Sequence, residues 1–296
     1  MNHTHHYRVG DHTYRIIFAD DINSSELIPS SQPFLIESVS HADDILFTLT
    51  VDDNWRPTEK GREIGQFDCG GNNHAVYILP DGSYQILVSD TSNRRCSLMQ
   101  FSPDFHTATV RLNGSYDMRT FGLNNALMML YAFAGSLRQT LLMHASVVRK
   151  DDYAYLCLGV SGTGKSTHTS LWLRHIPGCD LMNDDNPVVR IFPDNTVRVY
   201  GSPWSGKTPC YRNVSAPVGA FLQLRQAPYN KIRRENVVET LASLLPSCSV
   251  MKWDKLNYTS VCDTVSAIMR HTKTYLLECL PDEAACRLSY ENIRAV

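Results

Sequence analysis

Residues 153–167 read YAYLCLGVSGTGKST, and this stretch decides how the rest of the chain is read. Tyr153 to Leu158 is a short apolar run with the length and composition of a buried strand. Gly159 to Ser166 then spells G-x-x-x-x-G-K-S, and the residues after it open a helix. Strand, glycine loop and helix start form the context of a phosphate-binding loop. Gly159, Gly162 and Gly164 let successive N–H groups turn inward with no Cβ in the way. The helix N-terminus adds partial positive charge. Lys165 has the reach for β- and γ-phosphates, and the Ser166 hydroxyl suits Mg2+. Ser161, Thr163 and Thr167 complete the candidate nucleotide site.

The 296 residues are enough for two modest domains or one large one. A net charge of −2 argues against a dedicated nucleic-acid binder, which is usually basic. No apolar run reaches the roughly 18 residues a membrane span needs. The N-terminus is polar and His-rich, with no signal-peptide core, so His3, His5 and His6 are expected on a frayed, solvated end. Nine cysteines, from Cys69 to Cys286, form no C-x-x-C pair. Buried free thiols in a reducing cytoplasm fit that spacing better than disulfides or zinc.

Residues 1–118 read as a β-rich domain that selects or shields a substrate. Its candidate strands are Tyr14–Ala19, Ile45–Val51, Ala75–Leu79, Tyr84–Val88, Ser97–Phe101 and Thr107–Leu112. Pro80-Asp81-Gly82 marks a hairpin. The pairs Asp20-Asp21, Asp43-Asp44 and Asp52-Asp53 sit at strand ends and are expected to be solvated turn residues. From 119 to 139 the period changes. Leu123, Leu127, Leu130, Ala134 and Leu137 share one helical face, which predicts a helix at the junction of two domains.

Residues 140–296 alternate strand and helix, the pattern of an α/β domain, so the whole chain reads as α+β followed by α/β. LLMHASVV, residues 141–148, is expected as one strand with His144 inside it. Cys179–Met182 closes on Asn183-Asp184-Asp185. An acid at a strand end beside a phosphate loop is where Mg2+ wants a hard oxygen ligand. Adjacent acids in an extended chain face opposite ways, so one would serve the metal and the other an acceptor hydroxyl. Between Asn186 and Arg234 eight basic residues, Lys207 and Arg212 among them, face one acid, a local +7 that suits a γ-phosphate.

Together these residues resemble the C-terminal kinase domain of HPr kinase/phosphorylase, a relative of ATP-dependent phosphoenolpyruvate carboxykinase. The resemblance covers roughly residues 140–296 and rests on GVSGTGKST, LLMHASVV, LMNDDNPVV and GSPWSGKTPCYRNVSAPVGAFLQL. It implies a PEP-carboxykinase-like domain that uses ATP and Mg2+. Lys165 would stabilise the transferring phosphoryl group. Ser166 would bind Mg2+, with Asp184 supporting metal or geometry and Asp185 a further metal ligand. Asp185 would take the acceptor's proton, with His144 near the γ-phosphate. The family's glutamate metal ligand has no counterpart in Pro209–Val214, and its dephosphorylation signature is not recognisable, so phosphorylase activity and HPr itself are not implied. The expected acceptor is a Ser or Thr of a small protein or peptide, with a small metabolite as the alternative. A nucleotide sensor without turnover is the non-enzymatic alternative. A homo-oligomer is left open; neither nucleic acid nor membrane is an expected partner.

Overall fold

A computed structural model describes residues 3–37, 39, 45–68 and 73–294. Cys69, Asp43 and Asp44 lie outside the described residues. The protein is mixed α/β, with two large mixed sheets and several helices. It divides into two compact units, Met1–Gly135 and Ser136–Val296. No helix among the described residues is long and apolar enough to cross a membrane.

The first unit contains β1 (His3–Val9), β2 (His12–Phe18), β3 (Leu35–Ile36), β4 (Ile45–Val51), β5 (Arg62–Asp68), β6 (Asn73–Ile78), β7 (Tyr84–Ser89), β8 (Arg95–Phe101) and β9 (Thr107–Leu112). Their order across the sheet is β3-β1-β2-β4-β9-β8-β7-β6-β5. The β2–β4 and β4–β9 pairs are parallel and the others antiparallel. Gly82, at φ +84°, turns β6 into β7 as Pro80-Asp81-Gly82 predicts. The frayed N-terminus is corrected: His3–Val9 pairs along its length with β2, and His6 Nε2 accepts from Arg15 at 3.2 Å. Tyr7 and Val9 are buried by that pairing, and their burial holds the polar histidines in a strand. Asp20 is likewise no solvated turn residue. It is buried, accepts the N–H groups of Ile22, Asn23 and Asp53, and so organises the loop ends.

Helix α1 (Tyr116–Ser136) ends this unit. Arg119 in its early turns bonds Asn23 at 2.7 Å and pairs with Asp53. Leu123, Leu127 and Leu130 are buried as their period predicts, and so are Ala126, Met129 and Phe133. The apolar surface is therefore wider than a single stripe.

The second unit contains β10 (Thr140–Leu142), β11 (Ala145–Lys150), β12 (Tyr153–Leu158), α2 (Lys165–His175), β13 (Asp180–Asp185), β14 (Val188–Ile191), β15 (Val197–Tyr200), β16 (Ser215–Gln226), β17 (Lys231–Arg234), α3 (Val237–Leu244), α4 (Lys255–His271), β18 (Thr274–Cys279) and α5 (Glu283–Ile293). The sheet runs β10-β14-β15-β16-β12-β11-β13, with β18 on β16 and β17 on β18. β12 is buried on both faces, which explains its continuous apolar run. Leu156 and Leu158 join a cluster with Val261, Val265 and Ile268 of α4. Tyr155 and Cys157 join one with Trp172 of α2 and Cys286 of α5. Helices thus cover both faces of the sheet. Asp151 and Asp152, at φ +50° and +64°, form the two-residue hairpin turn between β11 and β12. Every described cysteine is a free thiol.

His168 on α2 is buried beneath α5. Its Nε2 lies 3.0 Å from Ser289 Oγ and accepts from Trp172 Nε1 at 3.2 Å. Burial pulls its pKa from 6.5 down to about 4. The unfolded chain therefore binds a proton that the folded one refuses between those values. Stability is unaffected above pH 6.5 and is lost as pH falls from 6.5 towards 4, by up to roughly 3 kcal/mol from this group. Urea denaturation of the full chain is expected to show that loss, and His168→Gln to show a shallower slope over the same window.

Candidate functional site

Strand register builds the site. β11 lies between β12 and β13 and is antiparallel to both, so β12 and β13 run the same way. Ser146 pairs with Cys157 on one side and Asp184 on the other. The end of β12, the start of β11 and the end of β13 therefore meet at one edge. The glycine loop leaves β12 at that edge, and Asp184 and Asp185 close β13 beside it.

The loop carries the backbone its glycines require. Gly159, Gly162 and Gly164 have φ of +143°, +82° and +105°. A Cβ on Gly162 or Gly164 would meet nothing within 4 Å, so the loop opens onto free space on that side. No side chain caps the N-terminus of α2. Its first N–H groups therefore remain available to an anion. Open loop, uncapped helix and lysine together fit a polyphosphate. Thr163 turns inward to bond Val160 O at 2.6 Å, while Ser161, Ser166 and Thr167 are exposed.

The side chains form one hydrogen-bonded run. Lys165 Nζ donates to Gly159 O at 2.9 Å and to His144 Nε2 at 2.9 Å. An ammonium group cannot accept, so Nε2 is the acceptor and Nδ1 carries the ring proton. Nδ1 lies 2.9 Å from Asp185 Oδ1 and donates to it. Asn186 Nδ2 donates to Asp185 Oδ2 at 2.8 Å. Separately, Ser166 Oγ donates to Asp184 Oδ1 at 2.8 Å. Burial lowers the Lys165 pKa, and the carboxylates of Asp185 and Asp184 offset only part of that. Ser166 and Asp184 supply two hard oxygens side by side, which fits Mg2+, an ion that keeps waters and phosphate oxygens for its other positions.

His144 does not lie within a strand as the apolar run predicts. LLMHASVV is broken. β10 pairs with β14, β11 pairs with β12 and β13, and His144 occupies the gap between them. Its N–H bonds Ser247 O at 2.6 Å, and its side chain is 43% exposed. The change of partner strand releases the ring from the pleat and lets it bridge lysine and aspartate. The two acids take different partners at one strand end, Ser166 for Asp184 and His144 for Asp185. Asp185 has φ +149°, a strained value for a residue with a Cβ, and its carboxylate serves the same edge as that of Asp184.

Asn183 and Ser202 are additional supports. Both are fully buried. Asn183 Nδ2 donates to Ser202 Oγ at 3.1 Å and Trp204 O at 3.2 Å, while its Oδ1 accepts Asn186 N–H at 3.0 Å. Ser202 Oγ donates to Asn186 O at 2.6 Å. Farther along, Gly206 N–H bonds Asp184 O at 2.5 Å. The exposed Lys207 therefore follows directly on a segment tied to the acids. The only legible signal was the polar dipeptide Asn183-Asp184 closing an apolar strand; nothing in the residue pattern paired Asn183 with Ser202.

Arg212 is not part of this cluster. It bonds Asp180 at 3.0 Å and pairs with Leu181 O. Asp180 begins β13, about 16 Å from Asp185 at roughly 3.3 Å per residue. The cationic tract is dispersed in the same way. Arg225 pairs with Glu278, Arg233 with Glu239, and Arg198 donates to Ser215. Basic residues close in sequence are separated by strands that point them at different partners. A cavity of about 360 Å3, lined in part by Lys150, His175, Arg287 and Tyr290, lies at the other end of α2 and shares no residue with the site.

Asn183→Ala removes a buried amide and leaves Ser202 and Asn186 short of partners. It is expected to cost about 2–3 kcal/mol in urea denaturation. A change below about 0.5 kcal/mol, the level of an ordinary surface substitution, would remove Asn183 from the support of the site.

Compared with protein-family models the chain matches none, and no curated protein matches it.

Proposed function

We propose that this chain is an ATP-dependent kinase that transfers the γ-phosphoryl group to a hydroxyl, a Ser or Thr of a small protein or peptide. The observation that carries this reading is the convergence of Lys165, Ser166, His144, Asp184 and Asp185 on an open glycine loop at one sheet edge. A bare phosphate-binding loop needs only the loop and its lysine. A metal-ready Ser166–Asp184 pair beside a carboxylate–imidazole pair is the equipment of phosphoryl transfer, which asks the protein for positioning and charge. The resemblance of the motifs to the HPr kinase domain supports the same reaction class.

Each residue has a task. Amides of residues 160–166 and the α2 N-terminus hold phosphate oxygens. Lys165, now satisfied by Gly159 O and His144, exchanges those partners for phosphate oxygens. Ser166 and Asp184 would hold Mg2+, which would supply neutralisation of phosphate charge when bound. Asp185 takes the acceptor's proton, kept in place by Asn186 and His144. The side chains of His144 and Asp185 are 43% and 34% exposed, an open approach that favours a protein or peptide acceptor over an enclosed metabolite. The β-rich first unit supplies selection of that acceptor.

Two variants test the assignment against a sensor that binds nucleotide without turnover. Lys165→Ala is expected to weaken Mg-ATP binding in calorimetry by at least about tenfold and to abolish transfer to a peptide library. Asp185→Asn is expected to bind nucleotide like the parent chain and to lose about 100-fold or more in transfer. Nucleotide binding with no phosphorylated product from any peptide or metabolite in a cell extract would favour the sensor.

A further inference from the structure

We infer that His144 is itself phosphorylated during turnover, so that the phosphoryl group reaches its acceptor through a phosphohistidine. The inference rests on the kinase reading above and adds a covalent step to it.

Four observations carry it. Nδ1 of His144 is committed to Asp185 at 2.9 Å, which leaves Nε2 as the nitrogen with a usable lone pair. That lone pair points at Lys165 Nζ from 2.9 Å, the group that grips phosphate. A phosphate oxygen that replaces the histidine on Lys165 frees the lone pair and brings the phosphorus beside it. The backbone that carries the ring is held in place. His144 lies in a strand break, fixed through its N–H to Ser247 O at 2.6 Å, and Ser247 Oγ is tied to Ser243 O of α3 at 3.0 Å. Finally, both Asp185 oxygens are already engaged, Oδ1 by His144 and Oδ2 by Asn186. These bonds orient the carboxylate on the imidazole and leave each oxygen a second lone pair for the acceptor's proton. Nucleophile, orienting carboxylate and neighbouring cation reproduce the geometry of an activated nucleophile.

The step balances. The Nε2 lone pair forms an N–P bond to the γ-phosphorus as the P–O bond to the β-phosphate breaks, and the bonding pair leaves with ADP. The Nδ1 proton stays on the ring, and Asp185 stabilises the positive charge that develops. In the second transfer the acceptor oxygen forms an O–P bond, the N–P bond breaks and its electron pair returns to Nε2. The acceptor's proton passes to Asp185 and then to solvent. The product is the phosphorylated acceptor and the enzyme is restored.

The test omits the acceptor. The full chain is incubated with Mg2+ and ATP labelled at the γ-phosphate, quenched in alkali, and divided between base and acid treatment. The expected result is a label stable to base and lost in acid, mapped to His144 by mass spectrometry, and at least about tenfold weaker in His144→Gln. Exchange of labelled ADP into ATP without acceptor is expected alongside it. Calorimetric binding of Mg-ADP and a thermal melt establish that each protein is folded and competent. If a chain that binds Mg-ADP carries no acid-labile label and shows no ADP–ATP exchange, the intermediate is excluded. If such a chain still phosphorylates an acceptor, the kinase reading stands alone. If no nucleotide binds, the kinase reading falls and the intermediate falls with it.

Discussion

The site depends on one placement: β11 between β12 and β13, antiparallel to both. That arrangement makes β12 and β13 run in the same direction and finish at the same end of the sheet, one strand apart. The glycine loop leaves one and the acids end the other, with His144 at the start of the strand between them. Were β13 reversed, Asp180 and not Asp185 would face the loop, and Arg149 and Arg212, which pair with Asp180, would come with it. The hydrogen bonds of the site, from Gly159 O through Lys165 and His144 to Asp185, are a consequence of that edge.

Local pattern made much of this legible. β12, β15 and β18, and helices α2 and α5, follow runs whose apolar spacing and end signals stand in the residues themselves. The glycine loop was readable because its backbone demands are written in residue type: φ of +82° and +105° at Gly162 and Gly164 admit little else. Lys165, Ser166, Asp184 and Asp185 followed from the motif and its distance to the next strand end. Tertiary pairing was less accessible. β1 exists because β2 and β3 pair with it, against its own histidine-rich composition. β17, four mostly exposed residues, is held by its ladder to β18, so it has no apolar alternation to announce it.

The site shows the same division. His144 is singled out only by the resemblance to the kinase domain; its place in the fold is not legible, since an apolar run gives no sign that a strand changes partners midway. The positive φ of Asp185 has no signal in an apolar strand that ends on three polar residues. Such strain is maintained only where neighbours over-determine it, and here Asn183, Asn186 and the segment around Gly206 do so. Arg212 was assigned by local charge, and charge density along a chain says little about which acid each arginine meets after folding.

The central claim is that this edge grips a polyphosphate, and backbone NMR of the isotopically labelled chain tests it most directly. On titration with Mg-ADP the largest amide shifts are predicted within Gly159–Thr167, with loss of the interaction between the Lys165 ammonium and the His144 ring. Shifts confined to the region of Lys150, His175 and Arg287, with Gly159–Thr167 unmoved, would contradict the account.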